Sequence, residues 1–203
     1  MATDPIIAVV GMPRSGTSLT MGLLEAGGVP IYCEPDNLGS SYESEAILDL
    51  PRDDEFLSEC HGKAIKLLDP LHFRPPTTHR YDFIWTSRGH KEQARSHRKL
   101  ARVLGIEGAW PLGPLVASLR KDEKRSLSLL RRYPGSRVHV VRFEQLLAAP
   151  TATATELAGF LLLDPSLIPA MAARVTPRGP NCLPYLAELS DRPGSREPVT
   201  PKE

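Results

Sequence analysis

The chain has 203 residues, of which 41% are hydrophobic and 24% charged, which suffices for one α/β domain with a buried core but not for two full domains. Lys and Arg number 25 against 24 Asp and Glu, a net charge of +1, so composition excludes a general attraction to nucleic acid or a membrane surface, and any anion site must be local. The sequence has no apolar run of membrane-spanning length and no signal-peptide pattern, and its cysteines and histidines show no metal-binding spacing. We therefore expect a cytoplasmic protein that needs no metal.

Near the start of the chain, an apolar run at 6–10 predicts a buried strand, and the apolar spacing at 18–26 predicts a helix. The loop between them carries two glycines and is followed by hydroxyl residues, so its backbone N–H groups can converge on an anion at the helix N-terminus. The loop fits the phosphate-binding pattern G-x-x-x-x-G-K-S/T, except that Thr17 stands where the lysine belongs; we expect Arg14 to supply the missing cation. Because that lysine neutralises the β- and γ-phosphates, its absence favours a ligand other than a nucleoside triphosphate.

The rest of the chain alternates between strand and helix patterns. Further strands are predicted at 29–31, 64–68, 81–86 and 138–141, and further helices at 42–50, 53–61, 89–104, 115–133, 143–147 and 153–161. Thr153 with Glu156 fits a capping box for the last helix, and Thr151 is an equally good cap. This order predicts a three-layer α/β/α fold, with a P-loop-like parallel sheet of about four or five strands, helices on both faces and ligands at the carboxyl ends of the strands. We expect one domain over 1–189 and a disordered, proline-rich tail over 190–203.

Lys66 lies in the middle of the strand predicted at 64–68, which is followed by Asp69. A strand buried on both faces rarely holds a lysine, so this residue needs an explanation. Two interpretations are open. Lys66 is either a lysine on an edge strand whose charge reaches solvent or a cation that belongs to the site.

Two further features follow predicted strands. The strand at 81–86 leads into Ser87-Arg88, and Ser96 lies eight residues after Arg88. A late strand turns into a helix over the segment Val141-Arg142-Phe143-Glu144-Gln145-Leu146. Together with the loop at 13–18, these features resemble the sulfotransferases that use 3′-phosphoadenosine 5′-phosphosulfate (PAPS), particularly their compact bacterial members, over residues 5–161. The resemblance implies the P-loop-like α/β fold and transfer of the sulfuryl group from PAPS to a hydroxyl or amine of an acceptor that the sequence does not identify.

The resemblance also implies which residues hold the donor. PAPS carries phosphate groups at two ends of a nucleoside, so its site needs two separate anion-binding groups. The 5′-phosphosulfate is assigned to the loop residues Pro13, Arg14, Ser15, Gly16, Thr17 and Ser18. The 3′-phosphate is assigned to Arg88 and Ser96. Arg178 and Gly179 match weakly the segment that covers the 3′-phosphate in larger members, and the longer pattern R-K-G-x-x-G-x-x-K is missing here.

The transfer step requires charge stabilisation and a base. Arg14 and the loop N–H groups are expected to stabilise the leaving phosphate oxygen. The general base is open between two candidates. Glu43 comes first because residues 41–43 resemble the acceptor-facing element G-Y-F/W-E of bacterial relatives, and His72 comes second. Lys66 is a candidate cation at the transferring sulfonate.

Two other functions stay open at this point. A nucleotide or small-molecule kinase with an altered P-loop would use Asp69 as a metal-binding carboxylate. A catalytically inactive relative would bind PAPS and serve as an interaction or regulatory protein. For the sulfotransferase, the expected partner is a small-molecule or glycan acceptor rather than nucleic acid or a membrane. The short chain also suits an acceptor pocket shared within a homo-oligomer.

Overall fold

A parallel sheet of four strands forms the centre of the molecule. The computed structural model describes residues 4–39, 41–103, 105–106 and 110–175, so the predicted domain end at 189 and the tail at 190–203 lie outside the described residues. The strands are β1 (Ile6–Gly11), β2 (Ala64–Leu68), β3 (Tyr81–Ser87) and β4 (Arg137–Arg142), in the order β2-β1-β3-β4. Gly11 lies opposite Leu68 on one side and Thr86 on the other, so the segments that follow β1, β2 and β3 leave the sheet at the same edge.

Helices cover both faces of this sheet. They are α1 (Thr17–Ala26), α2 (His90–Val103), α3 (Leu112–Leu130), α4 (Phe143–Ala148), α5 (Pro150–Leu161) and α6 (Ile168–Ala173). Ile6, Ala8 and Val10 of β1 share a core with α2 and α3, whereas Ile7 and Val9 share a core with α1, α4, α5 and α6. All six residues of β1 are buried, as expected of a central parallel strand. The predicted three-layer α/β fold is confirmed, with four strands. None of the described helices is both long and apolar enough to cross a lipid bilayer.

The strand predicted at 29–31 is wrong. The structure has a single bridge between Ile31 and Ala64 in its place. Pro30 has no N–H and contributes only its carbonyl, which accepts a hydrogen bond from Ala64 N at 2.8 Å. A ladder therefore does not propagate along this segment.

The helices predicted at 42–50 and 53–61 are wrong in type. The structure has 3₁₀ turns at Glu45–Asp49 and Glu55–Cys60. The first of them stops at Leu50, which precedes Pro51 and takes the extended conformation that a residue before proline favours. The apolar spacing in these segments reflects which side chains face the core. It does not indicate a continuous α-helix.

α5 begins earlier than the capping box predicts. Its first residue is Pro150 and its N-cap is Ala149, while Thr153 is buried within the helix at 2% exposure. Proline suits the first helical position because its ring fixes φ and the N–H it lacks would have no partner there. The capping-box prediction is therefore wrong, and Thr153 packs in the core instead.

Candidate active site

The loop between β1 and α1 requires glycine at both of its ends. A Cβ at Gly11 would collide with the side chains of Thr86 and Ser15. Gly16 has φ +110° and is the N-cap of α1, and a Cβ there would lie 2.6 Å from Cδ2 of Phe143. Because Gly16 offers no side-chain cap, the first N–H groups of this 10-residue helix remain available to an anion.

Buried side chains support the loop from the protein side. Ser15 is 1% exposed, and its hydroxyl lies 2.6 Å from that of Thr86. Gln93 on α2 donates from Nε2 to the carbonyl of Pro13 at 3.0 Å. Thr17, the first residue of α1, is also buried. Pro13 and Ser15 thus shape the loop, and Gln93 is a supporting residue that the sequence analysis missed, since a glutamine on a helix carries no motif.

Arg14, Arg88 and Ser96 meet above the carboxyl edge of the sheet. Arg14 donates from Nε to Oγ of Ser96 at 3.1 Å, and Arg88 donates from Nη1 to the carbonyl of Arg14 at 3.3 Å. The Arg88 guanidinium lies over the ring of Phe143, 4.5 Å from its centroid. Its Nε is buried and has no hydrogen-bond partner among the described residues. A buried guanidinium N–H without a partner is rare in proteins and fits a position where an anion binds.

His97 lies beside this cluster and was not identified from the sequence. Burial, together with the charge of Arg14, lowers the pKa of His97. Its ring centroid is 5.7 Å from that of Trp110, whose side chain is largely exposed. Within the described part of the chain, its buried Nδ1 finds no hydrogen-bond partner. In the sequence, the only sign that His97 lies near this cluster is its position directly after Ser96.

Lys66 joins residues 41–43, which are predicted to face the acceptor and are here called the acceptor-side segment, to the first turn of α1. The residue is 6% exposed although it lies on the edge strand β2, so its charge does not reach solvent. Its Nζ donates to the Ser41 carbonyl at 2.8 Å, to Oγ of Ser18 at 3.0 Å and to Oε1 of Glu43 at 3.0 Å. Burial lowers the pKa of Lys66, and the carboxylate of Glu43 opposes this shift. The structure thus brings together Lys66, Ser18 and Glu43, three residues singled out from the sequence.

Glu43 differs from Lys66 in its access to solvent. Its side chain is 52% exposed, whereas that of Lys66 is 4% exposed. One carboxylate oxygen contacts the lysine, and the group as a whole remains open to an approaching molecule. The arrangement places a buried cation beside a carboxylate that solvent can reach.

His72 lies apart from these groups. Its side chain is exposed, and its ring packs edge-on against Phe73 with a centroid distance of 4.6 Å. In the described part of the chain, no hydrogen bond or ring contact joins the His72 side chain to the β1–α1 loop. Arg178 and Gly179 lie outside the described residues.

Comparison of the sequence with protein-family models gives no match, and comparison with curated proteins gives none. Solved structures do match. Mouse sulfotransferase SULT7A1 complexed with PAP aligns with 86% of this chain and 65% of its own, at 16% identity and a TM-score of 0.62. Retinol dehydratase in complex with androsterone and inactive cofactor PAP aligns with 87% of this chain and 66% of its own, at 17% identity and a TM-score of 0.53. The sulfotransferase domain from the curacin biosynthetic pathway aligns with 94% and 92%, at 16% identity and a TM-score of 0.51.

This chain has the sulfotransferase fold. The fold implied by the resemblance in the sequence is thereby confirmed. The chain spans 65% and 66% of the length of the first two structures and 92% of the length of the curacin domain.

The segment at 141–146, here called the late signature, was one of the features that resemble the sulfotransferases. It has a structural role in this chain. Phe143 begins α4 directly after β4, and its ring lies against Gly16 and beneath Arg88. Oε1 of Glu144 accepts a hydrogen bond from Gly89 N at 2.9 Å, just before α2 begins. The signature therefore ties the β1–α1 loop, the end of β3 and the start of α2 together.

Proposed function

We propose that this chain is a PAPS-dependent sulfotransferase that moves the sulfuryl group to a hydroxyl or amine of a small-molecule or glycan acceptor in the cytoplasm. The observation that carries the proposal is the direct contact between two anion-binding groups, made by Arg14 with Ser96 and by Arg88 with the Arg14 carbonyl. A donor with phosphate at both ends needs two separate anion-binding groups, and these contacts bring the residues proposed for both of them to one edge of the sheet. PAP, adenosine 3′,5′-bisphosphate, is the product that PAPS leaves after sulfuryl transfer. Its presence in the SULT7A1 and retinol dehydratase structures supports this choice of donor.

The residues present fit such a donor. The uncapped N-terminus of α1, with Arg14 beside it, suits the 5′-phosphosulfate. Arg88, whose buried Nε has no partner among the described residues, and Ser96 suit the 3′-phosphate. We further propose that Arg178 and Gly179 cover the 3′-phosphate.

The proposed reaction is an in-line displacement at sulfur. The bond between sulfur and the bridging phosphate oxygen breaks while an acceptor oxygen or nitrogen bonds to sulfur, and the acceptor proton leaves to a base. Arg14 and the α1 N–H groups would balance the charge that develops on the leaving phosphate, and Lys66 that on the sulfonate oxygens. Glu43 is the preferred base because it contacts Lys66 and is open to an acceptor, whereas His72 contacts neither Lys66 nor the loop.

A transfer assay tests the proposal. The protein is incubated with PAPS carrying radiolabelled sulfate and with phenols, alcohols, amines and glycans in turn, without added metal. We expect label in at least one acceptor and an equal amount of released PAP. Tight PAP binding with no labelled acceptor would instead indicate an inactive relative. Magnesium-dependent ATP binding that excess PAP does not displace would indicate the kinase.

A further inference from the structure

A hydrogen-bonded triad of Tyr42, Glu25 and Arg174, here called the Tyr42 clamp, lies behind the acceptor-side segment. The Tyr42 hydroxyl donates to Oε2 of Glu25 at 2.7 Å. Arg174 donates from Nη2 to the same carboxylate oxygen at 2.8 Å and to the Tyr42 hydroxyl at 3.0 Å. These three residues come from the segment before the 3₁₀ turn at Glu45–Asp49, the last turn of α1 and the end of α6. Tyr42 is the central residue of the element at 41–43 that the sequence analysis considered, whereas Glu25 and Arg174 belong to no motif identified there.

Tyr42 lies between the two residues through which its segment contacts Lys66. The residue before it, Ser41, accepts from Lys66 through its carbonyl, and the residue after it, Glu43, accepts through its carboxylate. Tyr42 has φ +56°, a backbone conformation that bulky residues rarely adopt, and its side chain is 2% exposed. The surrounding structure must therefore hold this conformation in place.

The chemistry of the clamp suits a fixed anchor. Burial, together with the hydrogen bond to Glu25, raises the pKa of Tyr42 to about 12, so the phenol stays protonated and keeps donating. The clamp packs closely against α1: a Cβ at Gly22 would lie 3.4 Å from the Tyr42 hydroxyl and 3.6 Å from Nε of Arg174, which are van der Waals contact distances. The clamp thus ties the acceptor-side segment to α1 and α6 at once.

We propose that Tyr42, Glu25 and Arg174 are positioning residues that hold the Ser41 carbonyl and the Glu43 carboxylate on Lys66. Their meaning for catalysis rests on the proposed function. Their effect on Lys66 does not, because it follows from contacts within the protein. α6, which no sequence motif marks, is then part of what sets the acceptor side of the site.

The test measures how fast an amine reagent, acetic anhydride, modifies Lys66, with mass spectrometry of the peptide as readout. Tyr42→Phe keeps the buried ring and removes only the hydroxyl, and Arg174→Gln removes the ion pair. We expect each to raise the rate of Lys66 modification about three- to tenfold, as the loss of one or two hydrogen bonds predicts. Arg174→Lys, which retains a charge opposite Glu25, is expected to stay near the wild-type rate.

A matched control separates positioning from general loosening. Arg137 donates to Asp82 at 2.8 Å, is about as exposed as Arg174, and lies where β3 and β4 begin, away from the site. Arg137→Gln is expected to leave Lys66 modification unchanged, and modification of Lys63 should not change in any variant. Wild-type rates in both clamp variants, or an equal rise in Arg137→Gln, would overturn the proposal.

PAP binding, measured on the same proteins, keeps this inference separate from the proposed function. We expect the clamp variants to bind PAP within about twofold of wild type, because their contacts do not include Arg14, Arg88 or Ser96. If transfer activity is found, they should lower kcat and leave KM for PAPS unchanged. If wild-type protein fails to bind PAP, the donor assignment fails, and the rates of Lys66 modification still decide the clamp.

Discussion

Replacing Lys66 by methionine is expected to lower kcat for sulfuryl transfer about 10²- to 10³-fold, the usual cost of removing one preorganised charge-stabilising group. Lys66 is buried and already points at Ser18 on the first turn of α1, so it needs little rearrangement to stabilise a sulfonate there. Methionine has a similar volume and no charge, which limits the change to the ammonium group. Steady-state kinetics with PAPS and an acceptor from the transfer assay measure the effect.

Lys63→Met is the matched control for this prediction. Lys63 directly precedes β2, and its ammonium lies over the ring of Tyr32 at 5.9 Å, away from the site. We expect its kcat to stay within about twofold of wild type. Both variants should retain PAP binding, because PAP lacks the sulfonate that Lys66 is proposed to stabilise and neither lysine contacts Arg88 or Ser96. If Lys66→Met kept more than about a third of wild-type kcat, Lys66 would have no part in the chemistry.

Gly16→Ala is expected to destabilise the protein by about 2–4 kcal/mol and to weaken PAP binding more than tenfold. At φ +110° an alanine is strained, and its Cβ would lie 2.6 Å from the ring of Phe143. Either the ring or the start of α1 must move. Movement of the ring removes the support of Arg88, and movement of α1 displaces the N–H groups of the candidate anion site. Thermal unfolding and calorimetric titration with PAP measure the two effects.

Gly159→Ala provides the contrast. Gly159 lies within α5, and a Cβ there would have no described neighbour within 4 Å. Because alanine favours a helix interior over glycine, this variant is expected to be as stable as wild type or more stable by about 0.5–1 kcal/mol. Should Gly16→Ala behave like Gly159→Ala, the loop would not have the conformation described here.

The sequence predicts the sheet well because each strand carries a local signal. The apolar run at 6–10 and the aromatic and β-branched run at 81–86 correspond to β1 and β3, and 64–68 matches β2. The segment between α1 and β2 was predicted poorly, since its turns depend on Pro30, Pro51 and contacts with distant residues. Such tertiary contacts leave no periodicity in the sequence.

The site could be predicted only in part for the same reason. The loop motif and the spacing of Arg88 and Ser96 are local, so the resemblance identified them. Lys66 stood out as a lysine in a buried strand, yet its bond to the Ser41 carbonyl depends on the path of a loop. The hydrogen bond from Gln93 to the Pro13 carbonyl and the effect of the Arg14 charge on the pKa of His97 join positions about 80 residues apart, and no spacing rule predicts them.

Calorimetric titration with PAP, without metal, on wild type, Arg14→Ala and Arg88→Ala tests the central claim most directly. Arg95→Ala is the control, because Arg95 lies on the exposed side of α2 and pairs with Glu92. We expect wild type and Arg95→Ala to bind PAP alike, with no competition from magnesium-ATP. Arg14→Ala and Arg88→Ala should each lose about 1.5–3 kcal/mol, roughly ten- to 150-fold in affinity, as the loss of a charge-assisted phosphate contact predicts. Wild-type affinity in both variants, or no PAP binding by the wild type, would contradict the assignment of this site.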